Sequence, residues 1–229
     1  MTCQPGCAKH VHSPKALVKS WANRLKKNQH VVWASVGDPG SGKSEGNLFL
    51  GIELQAVMGS GPLDVRRQVA FKPVDRKPLA QALGRFKVVL DDEATGEGGH
   101  KRRGMSTANV DNVQDLDACR GRNQANGFSC PRLIDLDTLI QAHLHGYMEW
   151  HKDHSCEWFE AQRGGPQWDP YVHWESRFTV DEPPWLGEYH PKVRKAYLEA
   201  KEDHMRGRRG TADDVLLVDR MYAVLKGLA

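Results

Sequence analysis

The chain has 229 residues, 39% hydrophobic and 27% charged, with a net charge of +3, which suits one α/β domain with additions. No apolar run approaches the roughly 20 residues of a membrane span, and the first twelve residues lack the apolar stretch of a secretory signal. Five scattered cysteines, at 3, 7, 119, 130 and 156, point to reduced thiols in a cytoplasmic protein, and the mild charge neither demands nor excludes nucleic acid.

Cys3, Cys7, His10 and His12 open the chain with four potential zinc ligands. Their spacing is not that of a regular finger, so residues 1–12 read as a leader. Ser13 and Pro14 start a helix, with Leu17, Trp21 and Leu25 recurring every four residues. Leader and helix together make up residues 1–30.

Residues 31–36, Val-Val-Trp-Ala-Ser-Val, form an apolar run with the look of a buried strand. Gly37-Asp38-Pro39-Gly40-Ser41-Gly42-Lys43-Ser44 follows, and then a helical stretch with Leu48, Ile52, Leu54 and Met58. G-x-x-x-x-G-K-S between a strand and a helix is the P-loop pattern for nucleoside triphosphates. Glycines let successive backbone N–H groups turn toward one anion, and the helix start adds its positive end. All eight residues are ATP-binding candidates. Lys43 reaches the β- and γ-phosphates, and the Ser44 hydroxyl holds Mg²⁺.

Residues 59–62, Gly-Ser-Gly-Pro, break the pattern. A short strand is expected at 68–71 and a helix at 75–83. The chain then enters Val88-Val89-Leu90-Asp91-Asp92-Glu93. A buried strand ending in acids, about fifty residues after a P-loop lysine, is the Walker B pattern. Asp92 is the preferred Mg²⁺ ligand and Glu93 the base that activates water, with Asp91 as the alternative metal residue. An adjacent glutamate favours hydrolysis over transfer to a small acceptor.

Residues 94–104 carry four glycines and four residues able to hold positive charge. Their place after the catalytic strand suits contact with DNA phosphates, a neighbouring subunit or solvent. A helix over 106–120 ends near Arg120 and Arg122. Either arginine is a candidate finger for a γ-phosphate, in its own or a neighbouring chain. Residues 127–130 read as a short strand, with Ser129 as a polar sensor, 136–144 as a helix and 147–150 as a strand. Residues 31–150 therefore make up an ATPase core.

The remainder, 151–229, reads as a C-terminal extension. It is rich in tryptophan, with a strand alternation over 171–180, a charged helix over 189–205, a basic turn, and a final helix from Thr211. His151, His154 and Cys156 are a second set of potential zinc ligands.

P-loop strand, V-V-L-D-D-E-A, a glycine- and arginine-bearing loop with Arg103, Met105 and Asn109, then R-x-R-N and a short strand ending in proline resembles the compact ATPases of the FtsK–HerA group, including zonula occludens toxin-like and viral genome-packaging ATPases. The resemblance covers residues 31–150. It implies a RecA-like fold, a mainly parallel sheet flanked by helices, and a ring-forming homo-oligomer, commonly a hexamer. It also implies ATP hydrolysis used to move double-stranded DNA in the cytoplasm of a host cell or at a virion. The group's usual glutamine at the sensor strand is replaced by Ser129-Cys130-Pro131. Two rivals make different predictions. A nucleotide kinase would put the Walker B strand directly beside the P-loop strand, whereas the motor would insert another strand between them. A non-motor switch would bind ATP and turn over slowly.

Overall fold

The computed structural model describes residues 13–92, 94, 116, 118–162, 173–180 and 190–209. Helix α1 (Pro14–Lys26) begins at its predicted cap, where Ser13 Oγ accepts from the Ala16 N–H at 3.2 Å. Strand β1 (Val31–Gly37) runs through the core and turns at the glycine loop into α2 (Lys43–Met58). Then come α3 (Val65–Gln68), β2 (Val69–Ala70), α4 (Pro73–Ala82) and β3 (Val88–Asp91). Strand β4 (Ala125–Cys130), a 3₁₀ turn at Leu133–Asp135, α5 (Thr138–His143) and β5 (Gly146–Trp150) follow. Strands β6 (Cys156–Gln162) and β7 (His173–Val180) form a hairpin, and α6 (Pro191–Arg209) is the last described helix.

The strands form one sheet in the order β2-β3-β4-β1-β5-β6-β7. The first five are parallel to their neighbours, and β6 and β7 add antiparallel edges. Alternation along β1 feeds two cores. Val31 and Trp33 join Trp21 of α1, Leu48 and Leu54 of α2 and Tyr197 of α6. Val32, Ala34 and Val36 join Leu116, Phe128 and Ile140 of α5 on the other face. Period-two side chains buried on both faces need helices on both faces, and that is the α/β architecture expected.

Several elements differ in extent from the sequence expectation. The strand expected at 68–71 shrinks to two residues, because Asp64 caps α3 and Gln68 turns its amide to Gln55 and the Val88 carbonyl. The helix expected over 136–144 starts later, because Asp137 caps it by accepting from the Leu139 N–H at 2.8 Å. Strand β6 was not expected. It pairs with β5 in register from Gly146–Glu160 to Trp150–Cys156. Trp150 and Trp158 are core residues, and Trp158 meets Trp21 edge-on at 5.5 Å between ring centres. Trp168, Trp185 and the final helix from Thr211 lie outside the described residues.

Close packing of α2 on β5 yields a stability prediction. A Cβ at Gly46 would overlap the Trp150 indole, which is only 5% exposed and held in the core. Alanine favours a helix over glycine by about 1 kcal/mol, but overpacking costs about 1–3 kcal/mol. Gly46→Ala is therefore expected to lower stability by up to about 2 kcal/mol net in urea unfolding. A midpoint at or above wild type would show that the indole yields freely.

Candidate active site

The glycine loop lies at the carboxyl ends of β1, β4 and β3, where open α/β sheets hold ligands. Its backbone explains its glycines. Gly40 has φ +83° and Gly42 φ +101°, left-handed values that favour glycine. Gly42 caps α2, so the first N–H groups of that helix open onto the loop. The Gly37 N–H donates to the Pro131 carbonyl at 3.1 Å and ties the loop to the end of β4. Asp38 pairs with Lys152 at 3.6 Å. Ser41 is 1% exposed, and its hydroxyl has no hydrogen-bond partner among the described residues. His154, in the β5–β6 turn, lies 3.3 Å from the Ser41 carbonyl.

A cavity of about 680 Å³ opens over the loop, within the size range of ligand sites. Pro39, Gly40, Gly42, Lys43 and Ser44 form one wall, and Arg194, Tyr197 and Lys201 of α6 form the other. Lys43 Nζ donates to the Asp38 carbonyl at 3.1 Å. Burial holds its pKa below the ordinary lysine value, and nearby Lys201 adds to this against the opposing pull of Asp92. Cys130, at the end of β4, is pushed up to about 12 by burial, so it stays a neutral thiol beside the loop.

The acids separate by strand alternation. Val88 and Leu90 face the α1–α2–α6 core. Asp91 therefore points to the opposite face, buried, while Asp92 turns to the P-loop side. Asp92 Oδ2 accepts from Tyr197 Oη and from Lys201 Nζ, both at 2.8 Å. Lys201 Nζ also donates to Tyr197 Oη at 2.9 Å, and Ser44 lines the same cavity as the phenol. Burial raises the Tyr197 pKa, with Asp92 adding to the shift, so the phenol remains a neutral donor. The structure thus gathers Lys43, Ser44 and Asp92 and leaves Asp91 outside that group.

Glu93 lies outside the described residues, as do Arg103, Met105, Asn109, Cys3, Cys7, His10 and His12. Glu93's neighbours are anchored at the same end of the sheet. The Asp92 N–H donates to the Ala70 carbonyl at 2.9 Å, and the Ala94 N–H to the Ser129 carbonyl at 3.1 Å. Ser129 Oγ accepts from Asn47 Nδ2 at 2.9 Å, and the Asn47 amide oxygen accepts from Trp33 and Ser35. The expected sensor position is thereby wired to α2 and β1.

Arg120 and Arg122 precede β4 and stand at its amino end, whereas the P-loop lies at the carboxyl end. Six residues of strand put them about 20 Å from Lys43 within one chain. Arg122 is moreover engaged with Gln124 at 3.0 Å and with the Cys119 sulfur. His151, His154 and Cys156 do not converge, since Cys156 is buried in the core while His154 faces Ser41. Among the described residues no three His, Cys, Asp or Glu side chains form a metal cluster.

Sequence reasoning missed Arg194, Tyr197 and Lys201. Their spacing of three and four along a helix was legible, but nothing local said which surface that face would cover.

No family model and no curated protein matches the chain. Among solved structures it is similar to the N-terminal domain of zonular occludens toxin from Neisseria meningitidis, at 12% identity over 65% of this chain and 93% of that one, with a TM-score of 0.41. It is similar to a chain of the HORMA:CdnC:Trip13 complex of E. coli MS115-1, at 15% identity over 60% of each chain, with a TM-score of 0.42. It is also similar to the genome packaging NTPase B204 of Sulfolobus turreted icosahedral virus 2, in complex with ATP-gammaS, at 14% identity over 53% of this chain and 74% of that one, with a TM-score of 0.36. Likenesses this loose carry no argument about the site. The P-loop fold rests on this chain's own strand order and loop geometry.

The residues present fit a magnesium triphosphate. The glycine-built loop, the unpartnered Ser41 hydroxyl and the start of α2 suit phosphate oxygens. Ser44 and Asp92 supply hard oxygen donors of the type Mg²⁺ prefers.

Proposed function

We propose that the protein is an ATP hydrolase that works as a ring-forming homo-oligomer on double-stranded DNA, as a packaging or transfer motor of a virus or mobile element. The observation that carries the hydrolase reading is the place of β4. It lies between β1, which leads into the P-loop, and β3, which leads into Asp92. A nucleotide kinase would have put those two strands side by side. The inserted strand sets β3 one strand away from β1, while Asp92 still lines a cavity with Lys43 and Ser44.

In this reading the P-loop backbone N–H groups and Lys43 hold the phosphates and steady the charge that develops on the γ-phosphoryl group. Ser44 and Asp92 would hold Mg²⁺, which supplies charge neutralisation on the phosphate oxygens when bound. Glu93 orients the attacking water and accepts its proton. Arg120 or Arg122, remote from Lys43 in one chain, would act on a neighbour's nucleotide. No described helix is long and apolar enough to cross a membrane.

The test is the steady-state ATPase rate with and without double-stranded DNA. A motor is expected to turn over several-fold faster with DNA. Turnover indifferent to DNA would remove the motor and leave an ATPase. Absence of turnover in both conditions, with ATP still bound, would favour the switch.

A further inference from the structure

Asp92 is held in an unusual way for an acid assigned to a metal. Its side chain is 6% exposed, and one oxygen, Oδ2, takes both the Lys201 ammonium and the Tyr197 hydroxyl at 2.8 Å. A carboxylate buried to that degree requires a partner charge and hydrogen bonds. Both come from α6, more than a hundred residues away in sequence, and both line the cavity over Ser44, the other candidate metal residue.

The position of Lys201 is as informative as its pairing. It lines the cavity over the P-loop and also a second cavity of about 230 Å³ that contains Asp92, Ser129 and Cys130. Its side chain is 42% exposed on a flexible four-carbon stem, so it has room to move. A divalent cation at Asp92 Oδ2 and an ammonium on the same oxygen repel one another.

We propose that Lys201 is a built-in counter-ion of this site, which neutralises Asp92 while no divalent cation is bound and yields the carboxylate when one arrives. The released ammonium stays at the wall of the phosphate cavity beside Lys43 and becomes a ligand for the triphosphate. Lys201 thus couples α6 to the loading of the site. The triphosphate part rests on the ATPase reading, and the competition for Asp92 does not.

The experiment uses the full chain with Lys201→Met, Lys201→Arg and the double variant Asp92→Asn/Lys201→Met. Mn²⁺ alone is titrated without nucleotide, with the free ion followed by electron paramagnetic resonance. Lys201→Met is expected to bind Mn²⁺ at least tenfold more tightly than wild type. Lys201→Arg should behave as wild type, and the double variant should lose the gain. In the same proteins a fluorescent ATP analogue is titrated in EDTA. There Lys201→Met should bind at least fivefold more weakly, because an uncompensated Asp92 repels the phosphates, and Lys201→Arg should restore binding.

Mn²⁺ affinity of Lys201→Met within twofold of wild type overturns the proposal, even if nucleotide binds normally. The reverse outcome, a Mn²⁺ gain in a protein that binds no ATP analogue at all, sinks the ATPase reading and keeps Lys201 as the counter-ion of Asp92. Should Lys201→Met not fold, Lys201→Gln removes the charge with a polar side chain and is read in the same way.

Discussion

Replacing Lys43 by alanine is expected to weaken ATP binding about 100-fold, close to 3 kcal/mol, without unfolding the protein. Lys43 follows directly on the Gly42 cap, and among the described residues its ammonium hydrogen-bonds only a loop carbonyl, so the fold does not lean on it. It is half-withdrawn from water and close to a second lysine, with a lowered pKa as the result. Such an environment is unfavourable for a cation until a polyanion enters, and then each charge-assisted bond contributes about 1.5–3 kcal/mol. Titration with a fluorescent ATP analogue measures the loss, and circular dichroism checks the fold. An affinity within twofold of wild type would remove the P-loop argument, whatever the sequence pattern.

Glu93→Gln is expected to slow hydrolysis about 10²–10³-fold while leaving nucleotide affinity nearly unchanged. Glutamine keeps the size and one acceptor oxygen but cannot take the proton of the attacking water. The separation of rate from affinity is the important part. A loss of binding with preserved turnover per bound nucleotide would make residue 93 a structural contact. Normal hydrolysis would move the base elsewhere, with Asp92 the next acid along the chain toward the P-loop. Single-turnover measurement of product formation, with DNA present, distinguishes these outcomes from slow product release.

The two halves of the site were legible in the sequence to different degrees. The P-loop is local. Its chemistry needs glycine where the backbone is left-handed, as at Gly40 and Gly42, and a lysine and a serine at the first turn of the next helix. All of that fits within eight consecutive residues, so the spacing alone carries the meaning. The same holds for the cap at Ser13 and for the buried strand ahead of the loop. The acids were half legible. Three in a row marked the end of a catalytic strand, but with a period of two a shift of one residue exchanges the faces. Only the packing of Val88 and Leu90 against α2 decided that Asp92, and not Asp91, turns toward Ser44.

Strand order and the cover over the site belong wholly to the tertiary structure. The insertion of β4 between β1 and β3 is a long-range pairing, and no residue in either neighbour announces it. The hairpin strand β6 joins the sheet through β5 in the same way. Helix α6 shows the limit most clearly. Its sequence predicts an amphipathic, charged helix with a half-apolar face, and many surfaces would accept that face. The fold chose the one that puts Tyr197 and Lys201 on Asp92, at sequence separations of 105 and 109. The sequence by itself determined that a triphosphate-type loop and an acid-tipped strand exist, because turn chemistry and side-chain alternation act within a few residues. The tertiary structure alone decided which acid lines the cavity beside the loop and which cation pairs with it, because those pairings depend on the summed burial of a whole sheet and its helices.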